Sequence, residues 1–231
     1  MAHERMFHHT HADKLDDPER RAWLPPEEVV RRLELRAGLR VADIGAGSGY
    51  LTAPIAEAVG PTGRVAALDL QPEMLERLRH RLAPGAPVDR VQADASATTL
   101  PASSQDLALI ANVWHELDGR TAALAEMARI VRGAGRLAIL DWRTDVAQPP
   151  GPPLERRSGV NPSWLRGLQR SMVFRTMLFM LLGAAGGLAY QRVVGCRTGI
   201  CPITSSPPTS RRSTARSWGS CSRAACADRT G

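Results

Sequence analysis

At 231 residues with 43% hydrophobic side chains, the chain is long enough for one full α/β domain plus extra material, and all four cysteines (Cys196, Cys201, Cys221, Cys226) fall outside that domain, so it is neither disulfide-stapled nor a zinc module. The net charge of +7 is unevenly spread: residues 1–150 carry 18 basic and 21 acidic side chains, and residues 151–231 carry 12 and 2. The domain itself is mildly acidic, which argues against nucleic acid as a partner, because a polyanion needs cations clustered on the folded surface.

Residues 1–38 read as a leader and a first helix. The leader is polar, holds His3, His8, His9 and His11, and ends at Trp23-Leu24-Pro25-Pro26. No apolar segment of the signal-peptide kind stands near Met1, so a cytoplasmic location is expected. The histidines lack the i, i+4 spacing of a helical metal site, and a mobile leader or a flap over a ligand is the favoured reading; no metal is expected. Pro26 suits the first turn of a helix over Glu27 to Leu35.

Residues 39–147 alternate strand and helix. Strands are expected at 39–44, 64–70, 90–93, 107–112 and 136–142, and helices at 50–59, 72–82 and 120–131, with Leu51, Ile55 and Val59 or Met74, Leu75, Leu78 and Leu82 at helical spacing. That alternation predicts a Rossmann-like, doubly wound parallel sheet of about five strands, covered on both faces. Gln148 to Pro153 opens a linker, 148–172. Residues 173–195 are apolar, with Arg175 and Arg192 near the ends, and read as a helix with a capacity for membrane association. Gly183 and Gly187 form a small-xxx-small pair that lets such helices pack closely. The Cys-containing remainder, 196–231, has the composition of a disordered tail.

The chemistry begins at Val41-Ala-Asp43-Ile-Gly45-Ala46-Gly47-Ser-Gly49. A strand ending in a carboxylate and running into three glycines lets backbone pass close beneath a ligand at the sheet's carboxyl edge. A nicotinamide fingerprint spaces its glycines G-x-G-x-x-G and brings a pyrophosphate to the loop. Here the spacing is G-x-G-x-G, and Asp43 would repel a pyrophosphate while favouring the cationic amino group of a sulfonium amino acid. Asp69 ends the second strand, where a doubly wound fold presents a carboxylate to ribose hydroxyls. Asp94 ends the third, in reach of an adenine amino group.

With these motifs, residues 15–154 resemble the class I S-adenosylmethionine-dependent methyltransferases, in particular the ubiquinone/menaquinone-biosynthesis-like and "type 11" group. The resemblance is carried by residues 41–49, by Ala67-Leu-Asp69-Leu70-Gln-Pro-Glu-Met74-Leu75, by Gln92-Ala-Asp94-Ala95, by Ala111-Asn112-Val-Trp-His115-Glu-Leu117 and by Val131 to Leu137. Residues 15–27 resemble the lead-in of one bacterial subset. The resemblance implies S-adenosyl-L-methionine as cofactor, with Asp43, Gly45, Ala46, Gly47 and Gly49 at its methionine part. It implies Asp69 at the ribose, Asp94 and Ala95 at the adenine, Met74 beside the adenosine, Asn112 in the cleft, and Leu70 among the cofactor-binding residues.

The expected function is methyl transfer to a small-molecule acceptor. In-line displacement from a sulfonium is served chiefly by positioning, and a base is required only where the acceptor must lose a proton. His115, with Glu116 beside it, is the candidate base, and shaping the pocket wall is its competing role. Tyr50, Trp114 and Trp142 are candidates for an acceptor wall or for core.

The family ends its sheet with an antiparallel hairpin, and the sequence after Pro153 is read as lacking one. Residues 177–204, with Gly195-Cys196-Arg-Thr-Gly199-Ile-Cys201-Pro202-Ile-Thr204, resemble instead a small family of bacterial membrane proteins of unknown function, and 205–223 reads as an out-of-frame second helix of it. Two other readings therefore stand beside the enzyme: a cofactor-binding remnant without activity, and a membrane-associated interaction protein arising from a gene fusion or frameshift. Oligomeric state has no signature in the sequence.

Overall fold

The computed structural model of the chain describes residues 6–142, Pro152 and the strand backbones within 176–201. Its parallel sheet is built from β1 (Arg40–Ile44), β2 (Arg64–Asp69), β3 (Val88–Gln92), β4 (Gln105–Ala111) and β5 (Val131–Trp142), in the order β3-β2-β1-β4-β5. Helices α1 (Arg20–Trp23), α2 (Pro26–Arg32), α3 (Thr52–Val59), α4 (Pro72–Arg81) and α5 (Arg120–Ile130) complete the domain, preceded by a 3-10 turn at His9–Leu15. Within residues 26–142 each expected strand and helix is present to within a few residues at its ends.

Strand periodicity divides the core. Val41, Val65, Leu107, Leu109 and Leu140 face one way and pack with Val29 and Leu33 of α2 and Ile55 and Val59 of α3. Their neighbours Ala42, Ala66, Ala108, Ile110 and Ile139 face the other way, onto Leu124, Met127 and Ile130 of α5. Both faces are therefore dry, which is why these strands are continuous apolar runs and not alternating ones. The strand order reverses between β1 and β4, and that reversal opens a crevice outside their carboxyl ends. The registers bring those ends level: Ile44 pairs with Leu68 and Ile110, and Ala111 with Leu140.

Two expectations need correction. The turn expected at Gly133-Ala-Gly135 lies inside β5 as an irregularity, where the pairing jumps from Gln105–Val131 to Leu107–Arg136. A Cβ on Gly135 would stand 2.8 Å from the Asp106 carbonyl oxygen, so the strands approach too closely there for any larger residue.

The second correction concerns the segment expected to be an apolar helix and the hairpin read as missing. Thr176–Leu182 (β6) and Leu188–Cys196 (β7) are strands, and Gly199–Cys201 (β8) follows. β6 lies parallel to β5, and β7 is antiparallel to β6. A short apolar run has no period that separates buried strand from helix. The unpaired edge of β5 supplies the tie-breaker, because its free amides and carbonyls need a partner. Among the described residues no helix is long and apolar enough to cross a membrane. The linker, Gly183, Gly187 and the tail beyond Cys201 lie outside the described residues.

Candidate functional site

A cavity of about 950 Å³ opens at the carboxyl ends of β1, β2 and β4, at the upper end of the range for small-molecule sites. Asp43, Asp69, Asp94, Glu116 and Asp118 line it, against two permanent cations, Lys14 and Arg20. That imbalance suits a cationic ligand.

The glycine loop forms the floor. Gly45 and Ala46 donate their amides to the Leu68 carbonyl, which clamps the loop to the end of β2. Gly45 has φ +72°, and a Cβ there would sit 2.4 Å from Cγ2 of Val113. Only glycine meets both demands. Asp43 is buried and accepts a 2.6 Å hydrogen bond from the Thr52 hydroxyl. Burial, with the Thr52 bond opposing and the nearby Asp69 charge adding, pushes its carboxyl up to about 6. A cation beside it would reverse that shift.

Asp69 uses its carboxylate to hold the loop. Oδ2 accepts the Gly47 amide at 2.8 Å and Oδ1 the Gln71 amide at 2.9 Å. A carboxylate has about four acceptor sites, so two remain for the hydroxyls of a diol. Burial raises its pKa, and the backbone hydrogen bonds pull the other way. Next to it, Leu70 is 40% exposed, the single large apolar side chain so exposed among the described residues, and it lies on the cavity wall with Met74. An apolar side chain open to a cavity offers a platform to a flat ring. Asp94 folds back on itself, with Oδ1 accepting from the amide and hydroxyl of Ser96 at 2.7 and 2.5 Å. Its Oδ2 has no partner among the described residues and, with Ala95, edges the cavity.

Asn112 follows β4 in a left-handed conformation, φ +57°, which is costly for a residue with a Cβ. Its amide is fixed by the Leu140 carbonyl at 2.8 Å, while its buried side-chain Oδ1 has no hydrogen-bond partner. A strained backbone that carries a buried, unsatisfied acceptor at the cavity wall calls for a donor.

His115 stands on a 3-10 turn, Trp114–Glu116, and is 8% exposed. Its amide donates to Oδ2 of Asp141 at 2.8 Å, and its Nδ1 lies 2.9 Å from Oδ1. Nε2 is 3.7 Å from Oε1 of Glu116. Of the aromatic candidates, Tyr50 and Trp142 line the cavity together with Trp23, whose ring lies 5.0 Å from that of Trp142. Trp114 is core instead, packed against the β1 and β4 side chains on the other face of the sheet.

The leader closes the top of the cavity. Phe7 donates its amide to Glu116 Oε2 at 2.9 Å, and its carbonyl accepts Gln71 Nε2 at 2.8 Å. His9 donates its amide to Gln71 Oε1 at 2.9 Å. Its root is pinned by Asp16, which accepts from Ser48 Oγ at 2.8 Å and pairs with Arg81. Among the described residues no group of three or more His, Cys, Asp or Glu is placed to hold a metal.

Two residues are not foreseen from the sequence: Asp141, buried behind His115, and Arg20, on the cavity wall. Asp141 had a signal, since it stands at the carboxyl end of a strand, where a doubly wound fold presents functional groups. Arg20 had none, because an arginine in a charge-rich leader reads as a solvated cation.

Comparison with known proteins places this geometry. A family model for a methyltransferase domain matches residues 41–135. The chain is 37% identical over 117 residues to a ubiquinone/menaquinone biosynthesis C-methyltransferase of Hahella chejuensis, covering 49% of this chain and 47% of that protein. It is 39% identical over 115 residues to the protein of the same name from Pseudomonas fluorescens, covering 47% and 43%. The chain thus spans about half the length of the curated relatives it matches. A solved S-adenosylmethionine-dependent methyltransferase from Aquifex aeolicus superposes with a TM-score of 0.62 at 31% identity, over 71% of this chain and 86% of that one.

Proposed function

The chain belongs to the S-adenosylmethionine-dependent methyltransferases, and we propose that it transfers a methyl group from that cofactor to a small-molecule acceptor. One observation carries the reading. Five acceptor side chains, those of Asp43, Asp69, Asp94, Asn112 and Glu116, belong to residues that line a single cavity at the sheet's switch point.

In this reading Asp43 and the Asn112 side-chain oxygen hold the ammonium of the methionine part over Gly45, Ala46, Gly47 and Gly49. Asp69 takes the ribose hydroxyls through its two remaining acceptor sites. The adenine lies on Leu70 and Met74, with its amino group toward Asp94 and Ala95. When bound, the cofactor supplies a methyl group on a positively charged sulfur that leaves as a neutral thioether. The chain's own residues orient the acceptor, exclude water and accept a proton.

His115 is the proposed base. Its Nδ1 is held by Asp141, which leaves Nε2 to take the acceptor's proton, with Glu116 within 3.7 Å to stabilise the charge that results. Trp23, Tyr50 and Trp142 form the acceptor wall, and three aromatic faces favour a planar acceptor. The C-methyltransferase activity named for its ubiquinone/menaquinone-biosynthesis relatives is compatible with that wall. The reading as an inactive remnant is not favoured by the likeness to solved S-adenosylmethionine-dependent methyltransferases.

The test is incubation of the full chain with methyl-labelled S-adenosylmethionine and the small-molecule fraction of a bacterial extract. Label is expected in that fraction, and to fall at least about tenfold with His115→Ala. Label confined to macromolecules, or none at all, contradicts the proposal.

A further inference from the structure

Arg20 poses a problem that the reading above does not solve. It lies on α1, within the leader and ahead of the methyltransferase domain at 41–135, yet it lines the cavity and is only 8% exposed. Its guanidinium carbon stands 4.2 Å from the centre of the Tyr50 ring and 5.9 Å from that of Trp23. Nη1 donates to the Leu15 carbonyl at 2.9 Å. Nε is buried without a hydrogen-bond partner, and Nη2 has none among the described residues. Among the described residues no carboxylate lies within ion-pair distance of it. The nearest acidic group to influence it, Asp16, is already engaged by Arg81 and Ser48, and Arg81 itself is a second cation close by.

The aromatic rings satisfy the flat face of the guanidinium but not its edge. The Nε/Nη2 edge is the one that forks around a carboxylate in two parallel hydrogen bonds, and here that edge is unpaired among the described residues. Burial lowers the pKa of Arg20 to about 10, so it remains charged at neutral pH. A buried, charged fork with its edge unpaired is expensive unless a ligand completes it. Tyr50 directly follows Gly49, so the ring on which Arg20 stacks is joined directly to the glycine loop.

We propose that Arg20 is the carboxylate receptor of this cavity. This rests on the methyltransferase reading of the site. Two ligands bring that chemistry: the α-carboxylate of the cofactor, or a carboxylate on the acceptor.

The test compares the full-length wild-type and Arg20→Gln proteins, the variant keeping an amide donor for the Leu15 carbonyl. Binding is followed by calorimetry and by the fluorescence of Trp23 and Trp142. The probes are S-adenosylhomocysteine and its decarboxylated analogue, then benzoate and benzamide with S-adenosylhomocysteine saturating. If the fork holds the cofactor, R20Q weakens S-adenosylhomocysteine about tenfold or more and leaves the decarboxylated analogue unchanged. If it holds the acceptor, the same contrast separates benzoate from benzamide. Equal affinities of the two proteins for all four probes overturn the proposal. Should circular dichroism show R20Q unfolded, Arg20→Lys, which keeps the charge but lacks the fork, is measured against the same criterion. Wild-type protein that binds no S-adenosylhomocysteine defeats the methyltransferase reading itself, whereas binding that is indifferent to Arg20 defeats only this inference.

Discussion

Asp141 accepts from His115 twice, from the backbone amide at 2.8 Å and at Nδ1 across 2.9 Å, so one carboxylate sets both the position of the turn and the orientation of the ring. It also accepts the Trp142 amide at 2.7 Å. Because Asp141 fixes Nδ1, it acts on catalysis through His115. Asp141→Asn is expected to lower turnover about tenfold to a hundredfold, with S-adenosylhomocysteine affinity changed less than about threefold. The split between the two readouts distinguishes this from simple damage: turnover falls while cofactor affinity holds only if Asp141 positions a working base. A parallel drop in cofactor affinity would assign the residue a purely structural role.

Asp43 makes a signed prediction about pH. Its carboxyl is ordinarily near 3.8 and is raised to about 6 by burial. Between those values the folded chain holds a proton that the unfolded chain has released. The stability linked to this group is therefore complete below about pH 4 and is lost as pH rises through about 6. Ligand binding runs the other way. A cationic ligand prefers ionised Asp43, so affinity for S-adenosylmethionine should rise up to about tenfold per unit as pH approaches 6, then level off. Calorimetry from pH 5 to 8 checks the slope, and Asp43→Asn should flatten it. A flat profile in the wild type would separate Asp43 from the ligand.

Asp69 carries both the loop and the proposed ribose contact. Removing it with Asp69→Ala leaves the Gly47 and Gln71 amides without their partners, at about 1–3 kcal/mol of stability for a buried donor. Cofactor affinity should fall by more than about tenfold. Adenine alone, which has no ribose, should bind the variant as it binds the wild type. A loss of adenine binding equal to that of the full cofactor would mean collapse of the loop and no specific contact.

Gly45→Ala combines a left-handed backbone with a 2.4 Å approach to Val113. A destabilisation of about 2–4 kcal/mol is expected from the two terms together. Adding Val113→Ala relieves only the contact, so the double variant should recover about half and no more. Full recovery would show that the backbone conformation costs nothing there.

The parallel sheet was legible because its strands are unbroken apolar runs separated by helical spacing, and Asp43, Asp69 and Asp94 could be placed because each directly ends a strand. The structure brings all three to one cavity with His115 and Asn112. Other features depend on contacts between distant segments, which have no periodicity to read. Asp69's grip on the Gly47 amide spans 22 positions, and the Phe7–Glu116 clasp spans 109. The extended form of Thr176–Leu182 depends on the open edge of β5, a tertiary fact that composition does not carry. Trp114 could not be divided from Trp142 by sequence either: one faces the core beside α5 and the other the cavity, and strand-end geometry decides which.

The central claim is that the cavity at the glycine loop takes the adenosyl cofactor. Calorimetric titration of the full chain with S-adenosylhomocysteine, paired with a thermal melt, tests it most directly. The account predicts one saturable site, a rise in melting temperature with ligand concentration, and loss of both in Asp69→Ala. A folded protein with no heat of binding and an unmoved melt at millimolar ligand would contradict it.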